Sequence, residues 1–261
     1  MTASASGARL SRPAQIAFVA FMLALTGLFL VLGTWQVQRL AEKQALIATV
    51  EERFDQAPIA FPPSSEWAQL DPETIDYTPF TLTGEFVHDQ TVLIFTNLPD
   101  PVGPVAGVGY WVMAPFVLDD TGVVWVNRGF VPQDAAADFA DGREVRAGTV
   151  AIEGIARRPE RANAFTPAPD IEARREWVRD PQRLSALVGL EETTAPVTLD
   201  LGQDGDIALP QGGETQITFP NRHLEYAGTW YLFAAITPIM LGFWLWRQRR
   251  PRNLAQPDQG N

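Results

Sequence analysis

Cysteine is absent from this sequence, and histidine occurs only twice in 261 residues. The absence of cysteine excludes disulfide bonds, thiol catalysis, iron–sulfur ligation by cysteine and thioether-linked cofactors. The four methionines are isolated from one another, which argues against a copper(I) carrier built on thioether clusters. The nucleophile-elbow, zinc-protease and phosphate-loop motifs are missing as well. The sequence therefore predicts a protein that is not an enzyme.

Basic residues are also scarce. The sequence has 20 Lys and Arg against 31 Asp and Glu, which gives a net charge of −11. The imbalance is concentrated in residues 39–225, where 14 basic and 30 acidic residues give a charge of −16. A nucleic acid partner requires a basic patch, so we exclude one. The acidic residues are evenly scattered, and we expect a solvated acidic surface rather than a paired-carboxylate site.

Two long uncharged runs are present, at residues 13–38 and 226–246. At about 1.5 Å per helical residue, each is long enough to span the roughly 30 Å hydrocarbon core of a bilayer. A cleavable signal peptide is the alternative for the first run, because Arg9 and Arg12 precede it. No small-x-small cleavage site follows before Trp35, which favours a retained anchor helix.

The arginines that flank these runs set the orientation, because short basic segments remain in the cytoplasm. Arginines stand at 9 and 12 before the first run and at 247, 249, 250 and 252 after the second. We predict an α+β membrane protein in which two transmembrane helices flank a mainly antiparallel β extracytoplasmic domain. The predicted segments are a cytoplasmic tail (1–12), helix 1 (13–36), a periplasmic domain (37–225), helix 2 (226–246) and a cytoplasmic tail (247–261).

Within the central domain, runs rich in β-branched and aromatic residues alternate with turn signals. The first membrane helix is expected to continue past Trp35 until the prolines that begin at Pro58. A short helix is predicted at 181–188 with Asp180 as its N-cap. We expect loops at 97–109 and 202–214, the second exposed, and a hairpin turn at 119–122. The predicted strands are 80–84, 91–96, 110–118, 123–127, 149–155 and 196–201.

His223 stands at the start of the second membrane helix. If the helix already runs from this residue, then His223, Tyr226, Ala227 and Trp230 lie on one stripe that could hold a flat aromatic ligand. Two interpretations are open: a polar cap of the helix, and an axial ligand of haem iron. His88 follows a strand, and we interpret it as a structural or exposed turn residue.

The segment 126–132 (VNRGFVP) closes a strand with polar groups and a glycine. Gly129 can supply turn dihedrals that other residues resist. Arg128 carries a permanent charge with five donors, which suits a carboxylate on its own chain, on a ligand or on a partner. Pairing within its own chain is the interpretation we favour.

Three blocks together resemble the surfeit locus protein 1 (Surf/Shy) family of cytochrome c oxidase assembly factors. They are residues 32–40 (LGTWQVQRL), 126–132 and 221–231 (NRHLEYAGTWY), in the order of the family and across nearly the whole chain. Phe130 stands where the family has Trp, which retains an aromatic ring and loses an indole donor. Asp76-Tyr77 and 84–86 (GEF) add a weaker match.

The resemblance implies a non-enzymatic role in which haem a is bound and helped into the large catalytic subunit of the oxidase. The family's histidine corresponds to His223. Our hypothesis is that His223 ligates the haem iron and that Tyr226 and Trp230 wall the porphyrin. At the neighbouring helix exit we expect Trp35, Gln36 and Arg39 to pack. Arg39 and Arg222 are the candidates for pairing with haem propionates.

Four further residues are expected to be structural or to bind a partner: Gln36, Asn127, Arg128 and Gly129. The alternative function is a cofactor-free scaffold that holds an oxidase subunit during assembly. The implied partners are the oxidase large subunit, haem a synthase and the lipid bilayer, and the implied location is the bacterial inner membrane.

Overall fold

The computed structural model describes residues 11–119, 122–140, 148–203, 209–215 and 221–249. The chain divides into two compact units: Met1–Ile47 with Phe219–Asn261, here called the helical unit, and Ala48–Thr218, here called the β domain. The boundaries of the membrane spans and the cytoplasmic tails stay predictions.

The described residues form five α-helices and eight strands, with 3₁₀ turns at Ser64–Gln69 and His88–Gln90. The helices are α1 (Arg12–Phe54), α2 (Pro72–Ile75), α3 (Ala136–Phe139), α4 (Pro181–Val188) and α5 (His223–Arg249). The strands are β1 (Ile59–Ala60), β2 (Pro79–Phe86), β3 (Val92–Leu98), β4 (Gly107–Leu118), β5 (Val123–Pro132), β6 (Val150–Arg157), β7 (Arg175–Glu176) and β8 (Thr194–Leu201).

Helices α1 and α5 are both long and apolar enough to cross a membrane, by length and composition. Their aromatic contacts run in opposite order along the two helices, because Phe18 meets Trp244 at 4.7 Å and Phe29 meets Trp230 at 5.8 Å between ring centroids. The pair is therefore antiparallel. The expected continuation of the first helix is confirmed, since α1 runs to Phe54.

The β domain is built on a closed ring of five strands. β2, β6, β8, β5 and β4 are neighbours in that order, and β2 also pairs with β4 to complete the ring. Four of these five pairings are antiparallel, whereas β5 and β8 are parallel. β3 pairs with the first half of β4, and the two-residue strands β1 and β7 add short parallel pairings at the edges.

The main core takes side chains from every strand of the ring, because alternate residues of a strand face the same side. Its buried members include Phe80 and Leu82, Phe116, Val124 and Val126, Ile152, and Val197 and Leu199. Trp125 faces the other way, where Leu184 of α4 packs against it and its indole donates to Ser185 Oγ at 2.9 Å. Helix α4 therefore covers the ring outside this core.

All six predicted strands are confirmed. Their bounds extend by one to five residues, except that β3 and β6 begin one residue later than predicted. Helix α4 has the predicted bounds, and the Asp180 carboxylate accepts hydrogen bonds from the amides of Gln182 and Arg183. The hairpin of β4 and β5 is present, although residues 120–121 of its turn lie outside the described residues. The predicted loop at 97–109 is shorter, because β3 and β4 extend into it and leave residues 99–106.

Truncation of Leu184 to alanine should destabilise the β domain by about 2–5 kcal/mol, because it leaves a cavity under Trp125. The measurement is the free energy of unfolding of the full chain in detergent, from denaturant titration. Ile171→Ala is the control, because Ile171 is 71% exposed and its truncation opens no cavity. Equal losses from the two variants would contradict this packing.

Candidate functional site

The first residue of α5, His223, is bonded to a side chain of α1. Its Nδ1 lies 2.7 Å from Oε1 of Gln36. An amide oxygen only accepts hydrogen bonds, so this contact is a hydrogen bond in the form of the ring that carries a proton on Nδ1. In a neutral ring the other nitrogen, Nε2, then holds the free lone pair, which is the form of imidazole that binds a metal.

Close packing of the two helices brings these groups together. A Cβ on Gly33 would lie 2.8 Å from the ring of Tyr231, so only glycine permits this approach. The Tyr231 hydroxyl lies 3.3 Å from Thr34 Oγ1, and Ala227 is buried. Because residues three apart share a helix face, the face of α1 that carries Gly33 also presents Gln36 to α5.

The predicted stripe on α5 begins as expected, since the helix starts at His223. Trp230 stacks on Phe29 of α1 with an interplanar angle of 23°, and Ala227 is buried. Tyr226 is 53% exposed, and Arg222 is exposed just before the helix. The structure thus groups His223 and Trp230 against α1, and the ligand contacts predicted for Tyr226 and Arg222 stay predictions.

On α1, Trp35 and Arg39 form an exposed pair one turn apart. The Arg39 guanidinium lies 5.8 Å from the centroid of the Trp35 ring, and its Nη1 donates to Glu42 at 2.7 Å. An exposed ion pair of this kind contributes about 0–1 kcal/mol. Arg39 can therefore exchange Glu42 for another anion at little cost, and its predicted contact with a propionate stays a prediction.

A second polar cluster lies in the β domain, around the buried carboxylate of Asp200 on β8. Its oxygens accept from Arg179 Nη1 at 2.9 Å, Asn127 Nδ2 at 3.1 Å and Thr215 Oγ1 at 2.9 Å. Arg157 adds an ion pair at 3.4 Å. The carboxylate therefore joins β5, β6 and β8 to the segments that contain Arg179 and Thr215.

The same network continues through Arg157 to the turn before β2. The Nε of Arg157 lies 3.3 Å from the Asp76 carboxylate, and its Nη2 donates to the Tyr77 hydroxyl at 3.1 Å. The Arg157 guanidinium also lies 4.2 Å from the centroid of the Tyr77 ring. Tyr77 has a φ of 66°, in the left-handed region that bulky residues rarely adopt. The stacked guanidinium and the bonded hydroxyl hold the side chain of this strained residue.

Burial alone would raise the pKa of Asp200, but the attraction of Arg179 and then of Arg157 outweighs burial, so the pKa lies below its ordinary value. Burial alone would likewise lower the pKa of Arg179, and the charges of Asp200 and Glu160 raise it instead. The two groups are therefore charged in the folded protein.

Residues 126–132 contribute a side chain to the Asp200 cluster and the bend that positions it. Asn127 donates to Asp200 and accepts from the amide of Gly129 at 3.1 Å. Gly129 has a φ of 133°, and a Cβ there would lie 2.4 Å from the carbonyl of Gln211. The backbones of Phe130 and Gln211 exchange two hydrogen bonds of 2.8 Å. Asn127 and Gly129 thus have a structural role, while Arg128 is half-buried at the same bend.

The expectation of an exposed loop at 202–214 is wrong for its end, and residues 204–208 lie outside the described part. Gln211 and Glu214 are buried. Glu214 accepts from the amides of Val102 and Gly103 at 2.8 and 2.7 Å, and Gln211 exchanges two bonds of 2.9 Å with the backbone of Val105. These side chains replace water as partners for the loop between β3 and β4, which is why they are buried.

The expectation that acidic residues form only a solvated surface is likewise wrong for Asp200, Glu176 and Glu214, which are buried. One signal is visible in the sequence of β8, where Asp200 stands between Leu199 and Leu201 as the one charged residue of the strand. A cleft of about 210 Å³ borders this cluster, and Glu160 and Thr215 are among its lining residues. Its charged side chains bond to one another or to backbone amides, which indicates a structural network.

The architecture defines a class of protein: a small closed β domain inserted between two long apolar helices, one of which begins with a hydrogen-bonded histidine. The profile of the SURF1 family matches residues 23–235, and the chain belongs to this family. It is similar to a SURF1-like protein of Monosiga brevicollis, with 37% identity over 236 residues that cover 85% of this chain and 84% of the relative.

Vertebrate relatives are similar over almost the same extent. Surfeit locus protein 1 of Mus musculus is 30% identical over 240 residues, which cover 88% of this chain and 74% of the relative. Surfeit locus protein 1 of Homo sapiens is 30% identical over 221 residues, which cover 80% and 71%. The family resemblance inferred from the three sequence blocks is confirmed.

Replacement of Asp200 by asparagine should destabilise the β domain by about 3–5 kcal/mol, because it removes the nearer and more buried counter-charge of the Arg179 guanidinium and leaves only the half-exposed Glu160. The free energy of unfolding of the full chain in detergent measures this loss. Asp134→Asn is the matched control, because Asp134 is exposed. A loss no larger than that of the control would show that the network contributes little.

Low pH should lower the free energy of unfolding of the native chain, because the Asp200 carboxylate becomes protonated. The folded pKa of Asp200 is depressed below the unfolded value of about 3.9, so its contribution to stability is complete above about pH 5 and is lost progressively as the pH falls through the unfolded and then the folded value. The free energy of unfolding should therefore fall less steeply below about pH 5 in Asp200→Asn than in Asp134→Asn. Parallel pH profiles would contradict the assignment.

Proposed function

We propose that this protein is an assembly factor for cytochrome c oxidase that binds haem a and aids its insertion into the large catalytic subunit. The observation that carries the proposal is the 2.7 Å contact of His223 Nδ1 with Gln36 Oε1, which engages one ring nitrogen and makes Nε2 the candidate ligand atom. Membership of the SURF1 family supports the assembly role that the sequence resemblance implies. The protein acts as a carrier, and haem a is its cargo.

The residues of the helical unit fit this cargo. A single imidazole suits haem iron, because the porphyrin supplies four further nitrogens. Trp230 and Trp35 provide aromatic surface on the same pair of helices, and Arg39 and Arg222 provide exposed cations for propionates. Haem itself supplies an iron with an open axial position, and the chain supplies the ligand, the apolar walls and the counter-charges.

A membrane location follows from the same cargo. Haem a carries a long isoprenoid tail, which is transferred at lower cost within lipid than through water. In this proposal α1 and α5 span the bacterial inner membrane with both termini in the cytoplasm and the acidic β domain in the periplasm. Arg12 before the first apolar run and Arg247 and Arg249 at the end of α5 support this orientation.

A cofactor-free scaffold is the second candidate function. The observation that favours it is a loop of the β domain, residues 99–106, whose backbone is hydrogen-bonded to the buried side chains of Glu214 and Gln211. Val102 in this loop is nevertheless 69% exposed. A fixed loop with an apolar tip is suited to holding an oxidase subunit. The proposed partners are the large subunit in both cases and haem a synthase in the carrier case.

His223→Ala should abolish the binding of haem a, because it removes the ligand nitrogen. The measurement is the absorption spectrum of the detergent-purified full chain after co-expression with a haem a synthesis pathway, at equal protein yield. His88→Ala is the matched control, because it removes the other histidine, which lies in the β domain. Stoichiometric haem a in the native chain and the control, and its loss in His223→Ala, is the expected result.

Haem a absent from all three proteins would reject the carrier function and favour the scaffold. In that case oxidase assembly should survive His223→Ala and fail when Arg128 is replaced. Haem a retained with an unchanged spectrum in His223→Ala would show that another group ligates the iron.

A further inference from the structure

We propose that Gln36 is the positioning residue of the helical site: its amide oxygen holds His223 in the tautomer protonated at Nδ1, which makes Nε2 the metal-binding atom of the ring. The inference rests on the proposed function in that the metal is haem iron. The tautomer is a property of the haem-free protein, and it is measured in the absence of haem.

The geometry of the pair selects this tautomer. A neutral imidazole has one donor and one acceptor nitrogen, and either nitrogen can carry the proton. At 2.7 Å the Gln36 oxygen and an unprotonated Nδ1 would place two lone pairs against each other, whereas a protonated Nδ1 makes a short hydrogen bond. The Nδ1–H form is therefore the one that the contact stabilises.

The position of Gln36 is itself fixed by packing. Only 9% of the residue is exposed, although it belongs to a helix whose other glutamine in this region, Gln38, is exposed. Gly33, one turn earlier, admits the Tyr231 ring, which sets the separation of the helices at this level. Burial also strengthens the bond, because a polar contact is stronger where water is excluded.

A bond of this kind has a known chemical consequence. A metal-bound histidine generally donates its other N–H to a carbonyl or carboxylate, which fixes the orientation of the ring and makes the ligating nitrogen more basic. Loss of such a partner typically lowers metal affinity about 10- to 100-fold. Gln36 therefore acts through His223 and needs no contact with the cargo.

The test uses the small number of histidines in this chain. In protein labelled with ¹⁵N-histidine, the His88→Ala background leaves His223 as the single labelled ring, and its two nitrogen shifts report which one carries the proton when the ring is neutral. Three variants are compared in that background. Gln36→Met keeps the length of the side chain and removes the acceptor, Gln36→Glu keeps an acceptor oxygen, and Gln38→Met is the matched control on the exposed face.

We expect the proton of His223 on Nδ1 in the unsubstituted background, in Gln38→Met and in Gln36→Glu, and a shift of population to Nε2–H in Gln36→Met. Haem a titrations should then give an affinity about 10- to 100-fold lower for Gln36→Met than for Gln38→Met. A structural role of Gln36 alone would not move the tautomer.

A proton on Nε2 with Gln36 intact would overturn the inference, and this measurement needs no substitution at Gln36. An unchanged tautomer in Gln36→Met would overturn it as well. If the native chain binds haem a, equal haem affinities of Gln36→Met and Gln38→Met would also overturn it. If the tautomer changes as expected while the native chain binds no haem a, the selection of the tautomer by Gln36 is upheld and the proposed carrier function fails. The two failures are therefore distinguishable.

Discussion

The pairing of one buried carboxylate with two arginines holds the β domain together. Asp200 is 5% exposed and lies between Arg179 and Arg157, with Asn127 and Thr215 completing its hydrogen bonds. A buried charge destabilises the folded state unless it is paired, so all the segments that supply these partners must pack around Asp200 in the folded domain. This requirement joins three neighbouring strands of the ring, β5, β6 and β8, and binds the segment at 209–215 to them.

In the helical unit, too, a buried polar group is paired with another polar group. One imidazole and one amide are bonded between two helices that are otherwise apolar over long stretches. Close approach at Gly33 and stacking of Trp230 on Phe29 fix the separation at which the bond forms. The result is a histidine whose ring has a defined orientation, which a mobile surface histidine would lack.

Much of the fold follows from local patterns. Uncharged runs, the Asp180-Pro181 start of α4 and the β-branched runs of the six strands depend on neighbours in sequence, and all were predicted from it. The family was recognisable too, because its motifs are contiguous. The burial of Gln211 and Glu214 was not predicted, because their partners at residues 102–105 are more than 100 positions away. Nor was the parallel pairing of β5 with β8, because α3, β6, β7 and α4 separate the two strands in sequence.

The sequence by itself determined the two apolar helices, the β character of the domain between them, the exclusion of cysteine chemistry and the place of His223 at the start of the second helix. Periodicity and composition suffice for these, because each is a property of a short stretch of chain. Only the tertiary structure decided that the Gln36 oxygen meets Nδ1 of His223, that five strands close into a ring and that Asp200 is a paired core charge. These are contacts between distant residues, and they depend on packing that no local pattern encodes.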